Sequence, residues 1–600
     1  MKILIEIGQK LHNILIIALV LVGLFIGSGD KPIDPLSHVH LQWFAGGLSE
    51  DGDGWTIFTP SADSRLCYVS EDGNDGTAEY YLPADPEIGS DPFDPDGPLN
   101  EYLTYAAAAA DVRSGYADWI LFKRDDTFSA RINERSGDTT TEFALVSAYG
   151  SSGAMPIVKP TTATNNLIQL NATCQYLAIM GIDFYSSTRD PEAGDYIDDS
   201  GTTGLFLIAG AGSTINDILI EGCKFRFFDQ NNIIDNGGTV EDIFFRRNVV
   251  LDSYSDGVGN CQGLWANDIN GLTVEENIFD HNGWYSKPSE EDVGPATIYN
   301  HNIYMTRMHN TTIQKNILLR ASSGDTKVTS NVGAGTTNLF IDDNLWVDGE
   351  VALSIGWNYG DPSVRFQNVD ITNNVMTNVD RDPPTERNIG WGFKIGGIGI
   401  GSISDNLLIN WNNAAITSSY GIEVGQGFED VMIEDNIVYE LNSHGNSDDN
   451  YAFRINYSAG GDKNRNTVQN NLFQEPSNAL RMVYVENAVD ISGFTFTGNE
   501  YYASSEVFYI AATPYNFAGW QGETGETGSF GAHSFADPTR GIEAYMTHLG
   551  ETATIAAFID KCRAQGRYSW DTDYTAPVVN NWMRTGFGSP GSKKTMLILK

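Results

Sequence analysis

Leu339-Phe340-Ile341-Asp342-Asp343-Asn344-Leu345-Trp346 and, thirty residues further on, Val369-Asp370-Ile371-Thr372-Asn373-Asn374-Val375-Met376 are two copies of one pattern. It runs apolar, spacer, apolar, two spacers, Asn, spacer, apolar. The same spacing returns at Ile243-Phe245-Asn248-Val250, Leu272-Val274-Asn277-Phe279 and Val431-Ile433-Asn436-Val438, with looser copies around Asn316, Asn406, Asn471 and Asn499. Two earlier copies keep the apolar register but replace the Asn: Leu177-Ile179-Ile182-Phe184 and Ile218-Ile220-Cys223-Phe225. Most return intervals lie near thirty residues.

Alternating apolar residues mark a short strand, the Asn a bend, and the apolar residues beyond it a second short strand. Such a unit cannot bury its apolar face alone, so units stack into a solenoid and their insertions project outward. Asn suits the bend because it tolerates left-handed backbone angles, and its amide is expected to ladder from coil to coil.

With these repeats, residues 160–510 resemble the pectin-lyase-like superfamily of right-handed parallel β-helices. Leucine-rich and ankyrin repeats fit poorly. Upstream, Tyr68-Val69-Ser70, Gly73-Asn74-Asp75, Asp118-Trp119-Ile120-Leu121-Phe122-Lys123 and Ala148-Tyr149-Gly150 are similar to that family's first coils. The expected architecture is an all-β, right-handed parallel β-helix of about ten or more coils. An N-terminal helical cap is expected over Ala107 to Val112, and a C-terminal α-helical cap segment contains Ile555, Phe558, Ile559 and Cys562 at helical spacing. The expected divisions are 1–29 signal peptide or anchor, 30–64 linker, 65–160 N-terminal cap and first coils, 161–510 β-helix, and 511–600 C-terminal cap.

Composition narrows the function class. The formal net charge of −42 repels nucleic acid and anionic membranes. Residues 1–29 carry Lys2 and Lys10, an apolar run from Ile14 to Ile26, then Gly27-Ser28-Gly29, which reads as a signal peptide and predicts a secreted, periplasmic or cell-surface protein without stable membrane insertion. Five cysteines without a C-x-x-C pair indicate buried thiols rather than a disulfide framework or zinc site.

Between successive Asn bends lies another alternating strand. If its flanking residues point inward, the middle ones point out. The outward column is then Trp265, Tyr304, Lys327, Ser354, Lys394, Glu423 and Arg454. Seven rungs at about 4.8 Å span about 29 Å, room for several sugars. Aromatic rings stack on sugar faces, and Lys or Arg meets carboxylates or sulfates. The 39-residue interval from Asn277 to Asn316 adds His281, Trp284, the acidic residues Glu290, Glu291 and Asp292, and His301, with Arg320 following.

Polysaccharide lyases of the resembled superfamily cleave by β-elimination, which needs a base and a positive partner for the developing enolate-like charge. The residues of the outward column and of the long interval supply the catalytic candidates for such a step: Lys327 as base if Lys394 or Arg320 depresses its pKa, and His301 or Tyr304 as alternative base or as donor to the leaving oxygen. Trp265, His281, Trp284, Lys394, Glu423 and Arg454 are the substrate-binding candidates. A glycoside hydrolase would use paired carboxylates, for which Asp256, Asp268, Asp280, Asp325 and Asp343 are candidates. No complete catalytic signature of the lyases or pectin hydrolases maps onto these residues. An epimerase, which begins with the same proton abstraction, a non-catalytic carbohydrate-binding adhesin and a tailspike-type depolymerase are further readings. Calcium is the expected cofactor if there is one, with ligands unassigned, and the expected working form is a monomer acting on a polysaccharide.

Overall fold

The computed structural model describes residues 48–588 except 161–165, 198–201, 256–259, 287–293, 331–334, 359–363, 380–383, 412–415, 442–448, 457–462, 479–480 and 506. The signal-like segment 1–29 lies outside the described residues. No helix among those described is long and apolar enough to cross a membrane.

Three stacks of parallel strands wind around one core. The first sheet holds the strands that precede the Asn positions, such as Thr239–Arg246, Asn270–Glu275 and His309–Gln314. The second holds the three-residue strands after them, such as Val249–Leu251, Ile278–Asp280 and Ile317–Leu319. The third holds Gln262–Asn267, His301–Thr306, Gly324–Ser330 and their successors. Among the described residues the second sheet has fourteen strands, so the solenoid has more coils than the repeat alone marks. The first and third sheets merge where Ile389–Ser404 runs through the corner and serves both.

The repeat positions stack as the sequence predicts: Ile243 pairs with Leu272 and Phe245 with Val274. The Asn side chains form an unbroken ladder. Each Nδ2 donates to the Oδ1 of the next coil's Asn, through Asn248, Asn277, Asn316, Asn344, Asn374, Asn406, Asn436, Asn471 and Asn499, at 2.9–3.1 Å. Each also donates to a first-sheet carbonyl, as Asn344 does to Ile313 at 2.9 Å. The chain of amides ends on Glu526, whose carboxylate accepts from Asn499 at 2.8 Å. The left-handed residue of the bend is not the Asn but its predecessor: Arg247, Glu276, Lys315, Asp343, Asn373, Asp405, Asp435 and Asn470 all have φ between 52° and 58°. The Asn is required for its amide, which satisfies buried backbone groups that the bend leaves unpaired.

The N-terminal helix is Tyr105–Asp111, capped by Thr104 and packed through Tyr105 and Ala108 on the first coil. Part of the stretch read as a linker is packed as well: Thr56 donates its backbone N–H and hydroxyl to buried Glu221, and Glu50 pairs with Arg246 at 2.6 Å.

The C-terminal segment does two things. The helix Phe517–Thr524 closes the solenoid end, with Trp520 stacked 5.2 Å from Phe508. The helices Ile542–Leu549, Ile555–Arg563 and Ala576–Gly586 instead lie along the outer face of the second sheet. Their Met546, Phe558 and Met583 share one apolar cluster with Leu251, Ile317, Leu345 and Leu407. All five cysteines are buried free thiols, and burial pushes Cys67, Cys174 and Cys261 up to about 12.

Candidate active site

The outward column exists in register on the third sheet. Trp265 pairs with Tyr304, Tyr304 with Lys327, Lys327 with Ser354, Ser354 with Lys394, Lys394 with Glu423, and Glu423 with Arg454. Flanking residues such as Leu264, Ile303, Val328, Phe393 and Ile422 are buried in the core, which turns the middle positions outward. The file continues beyond the predicted rungs, to Ile233 and Phe206 on one side and Tyr484 and Tyr509 on the other. Val483-Tyr484-Val485 and Phe508-Tyr509-Ile510 repeat the Phe453-Arg454-Ile455 motif, so this extension was readable.

Lys327 is the distinctive group. Its ammonium lies 5.5 Å from the Tyr304 ring centroid, and among the described residues no carboxylate is within ion-pair distance of it. Partial burial lowers its pKa, and the cations Lys394 and Arg387 lower it further. Lys394, two rungs on, lies 4.8 Å from the Trp391 ring. Burial lowers its pKa too, with Arg454 and Arg387 adding to that and Glu423 opposing it. Of the last two predicted rungs, Glu423 is only 2% exposed and is held by Arg454 at 2.9 Å. That carboxylate is covered by its neighbour rather than open to a ligand.

His301 begins the Tyr304 strand and is buried. Its Nδ1 sits 3.0 Å from the Gly324 carbonyl and its ring 5.5 Å from Tyr304. Burial, helped by the Lys327 charge, pushes its pKa down to about 3, so the ring is neutral. Beside it, along the edge where the chain enters the third sheet, stands a pair that sequence reasoning missed. Arg387 binds buried Glu350 through Nε at 2.7 Å and donates to the Ser323 hydroxyl at 2.7 Å. Its cation reaches His301, Lys327 and Lys394. Arg387 follows a long insertion at a poorly repeating position, and no local pattern announces it.

Arg320, His281 and Trp284 belong elsewhere. Arg320, placed beside Lys327 by sequence, instead binds Asp280 through Nε at 2.8 Å and Nη2 at 2.6 Å. It is the left-handed residue, φ 42°, that closes the second-sheet strand Ile317–Leu319, and the turn leaves it one coil above Asp280. Arg563 of the C-terminal helix joins the same carboxylate and also Asp252. Burial pushes the Asp280 carboxyl upward, but the two guanidiniums overcome it and hold it below the usual range. His281 bonds Asp252 at 2.8 Å and packs edge-on to Trp284, whose Nε1 donates to the Arg320 carbonyl at 3.0 Å. Asp252 and Asp280, held by His281 and Arg320, are the carboxylates through which Arg563 fastens the C-terminal helix to the solenoid.

The carboxylates considered for hydrolysis are similarly engaged. Asp325 is buried, accepts from Asn302 at 2.8 Å, and burial raises its pKa well above the usual value. Asp343 lies under Asn580 and Arg584 of the C-terminal helix, and Asp268 faces Arg307 at 3.6 Å. Asp256, Glu290, Glu291 and Asp292 lie outside the described residues. Among the described residues, no three His, Cys, Asp or Glu side chains converge to hold a metal ion.

No protein-family model matches the chain. No curated protein matches it. Solved structures similar to it include the catalytic unit of a GH87 α-1,3-glucanase from Streptomyces thermodiastaticus, at 12% identity over 76% of this chain and 72% of that one, TM-score 0.38. A GH136 lacto-N-biosidase from Eubacterium ramulus gives 14% over 73% and 67%, TM-score 0.34. A mannuronic acid specific polysaccharide family 6 lyase from human gut microbiota gives 13% over 71% and 88%, TM-score 0.32. Superpositions this loose carry no argument about chemistry, and the parallel β-helix assigned to this chain rests on the register of its own strands.

Proposed function

We propose that the protein is a secreted polysaccharide-degrading enzyme, a lyase that cleaves a uronate-containing polymer by β-elimination on the outer face of the third sheet. The observation that carries this reading is Lys327: an outward amine of lowered proton affinity, between an aromatic rung and further cations, in a chain of net charge −42. An amine whose pKa is lowered by burial and like charge gives up its proton more readily than an ordinary lysine and is better suited to act as a general base. The ion pairs that occupy Asp268, Asp280 and Asp343 with Arg307, Arg320 and Arg584 support elimination over a hydrolysis that would use them.

In the proposed step the substrate lies along the file, with a uronate carboxylate toward Lys394 and the Arg387 edge. The neutral Lys327 amine takes the proton α to that carboxylate and becomes ammonium. The C–H electron pair becomes the new ring double bond as the glycosidic C–O bond breaks. The leaving oxygen keeps that bond's electrons and takes a proton from the Tyr304 hydroxyl or water. The cations stabilise the enolate-like charge as it grows. The step assigns no role to calcium; turnover with EDTA or added Ca²⁺ checks the metal expectation. Export through 1–29 and action as a monomer belong to the same proposal.

Incubation with a panel of uronate polymers tests it. The expected products carry unsaturated ends that absorb in the ultraviolet. New reducing ends without unsaturation would replace the lyase by a hydrolase, and binding without any product would make the protein an adhesin.

A further inference from the structure

We infer a second glycan-binding station at the C-terminal end of the file, where Tyr484 and Tyr509 offer their rings to a sugar and Arg481 meets an acidic group on it. The inference rests on the reading of the third sheet as a polysaccharide site and adds a subsite remote from the reacting centre. Tyr484 is the rung after Arg454, and Tyr509 the rung after that. Both are half-buried on the outer face, while Val483, Val485, Phe508 and Ile510 beside them fill the core. Their ring centroids are 5.9 Å apart. The Arg481 guanidinium lies 5.0 Å from the Tyr509 ring and 5.9 Å from the Tyr484 ring, and its Nη1 donates to the buried Tyr451 hydroxyl at 2.9 Å.

Tyrosine pairs an apolar ring face with a wet polar tip, the surface a sugar ring requires. A guanidinium held against rings keeps a fork suited to a carboxylate or sulfate. From Lys327 to Tyr484 is five rungs, about 24 Å at about 4.8 Å each, so only a chain several sugars long reaches both. The protein therefore holds polymers long enough to span both stations more tightly than short oligomers.

Binding of uronate trimers and decamers is measured for the wild type, Tyr484→Ala, Tyr509→Ala and the double variant, with melting curves to verify folding. Each ring removed is expected to weaken decamer binding about five- to tenfold and to leave trimer binding unchanged. In the wild type, the decamer should slow nitration of Tyr484 and Tyr509 by tetranitromethane, a readout that needs no variant. A folded double variant that binds the decamer like wild type, or wild-type nitration unaffected by it, overturns the second station; continued depolymerisation would leave the proposed reaction standing. Failure of the wild type to bind any uronate oligomer overturns both.

Discussion

The second and third sheets put outward residues at the same spacing and meet opposite fates. Second-sheet strands read Val249-Val250-Leu251, Ile317-Leu318-Leu319, Leu345-Trp346-Val347 and Leu407-Leu408-Ile409. The middle residue fills the core and both neighbours face outward, so the outer face is as apolar as the inner one, and the C-terminal helices bury it. Over the rungs from Trp265 to Arg454, third-sheet strands put an aromatic, charged or small residue outward. A solenoid face becomes an internal joint or a working surface according to what its outward file can leave in water.

The largest break in this contrast is expected at Lys327. Lys327→Ala should lower turnover on the preferred uronate polymer by about 10²–10⁴-fold, the usual share of a general base, with an unchanged circular dichroism spectrum. Asp280→Ala strikes the covered face instead. It strands Arg320 against the second sheet and leaves Arg563 with Asp252 alone, and its expected cost is about 3–5 kcal/mol in urea unfolding with little direct effect on the chemistry. Equal loss of activity in both variants, with stability matched, would erase the distinction.

Lys394→Met sharpens the comparison more gently. Removing a cation that disfavours protonated Lys327 should raise that amine's pKa, so the pH at which the rate reaches its plateau moves upward. A downward or absent shift would show that Lys327 is not the titrating base.

The smallest effect is on acid stability. His301 has its folded pKa pushed down to about 3 from 6.5, and Asp280 is likewise held low. In both cases the unfolded chain binds protons more tightly, so stability rises with pH. The Asp280 contribution is complete above the ordinary carboxylate range and fades as pH falls through it. The His301 contribution begins to fade below about 6.5. Urea midpoints should therefore drop between pH 7 and 5, and His301→Gln should flatten that part of the curve.

These contrasts explain what the sequence disclosed. The ladder Asn residues and the third-sheet file were legible because stacking imposes a repeat on both, and a repeat is visible without coordinates. The left-handed position was misassigned by one residue because its occupants, Arg247, Glu276, Lys315 and Asp343 among them, share no side-chain chemistry. Docking of the C-terminal helices left a signal that was not used: three consecutive apolar residues in a strand imply two buried faces. Arg387 and the ties of Arg320 to Asp280 depend on contacts 37 to 40 residues apart with no repeating partner, and so left none.

The amide ladder has a direction, each coil passing one donor forward and offering one acceptor back, until a carboxylate that only accepts brings it to a stop at Glu526. A whole inserted coil, such as a duplicate of the stretch from Asn344 to Asn374, would therefore leave no amide stranded and would lengthen the outer file by one rung. The fold can change the length of its track by duplication or loss of complete turns, without redesign of the joints between them.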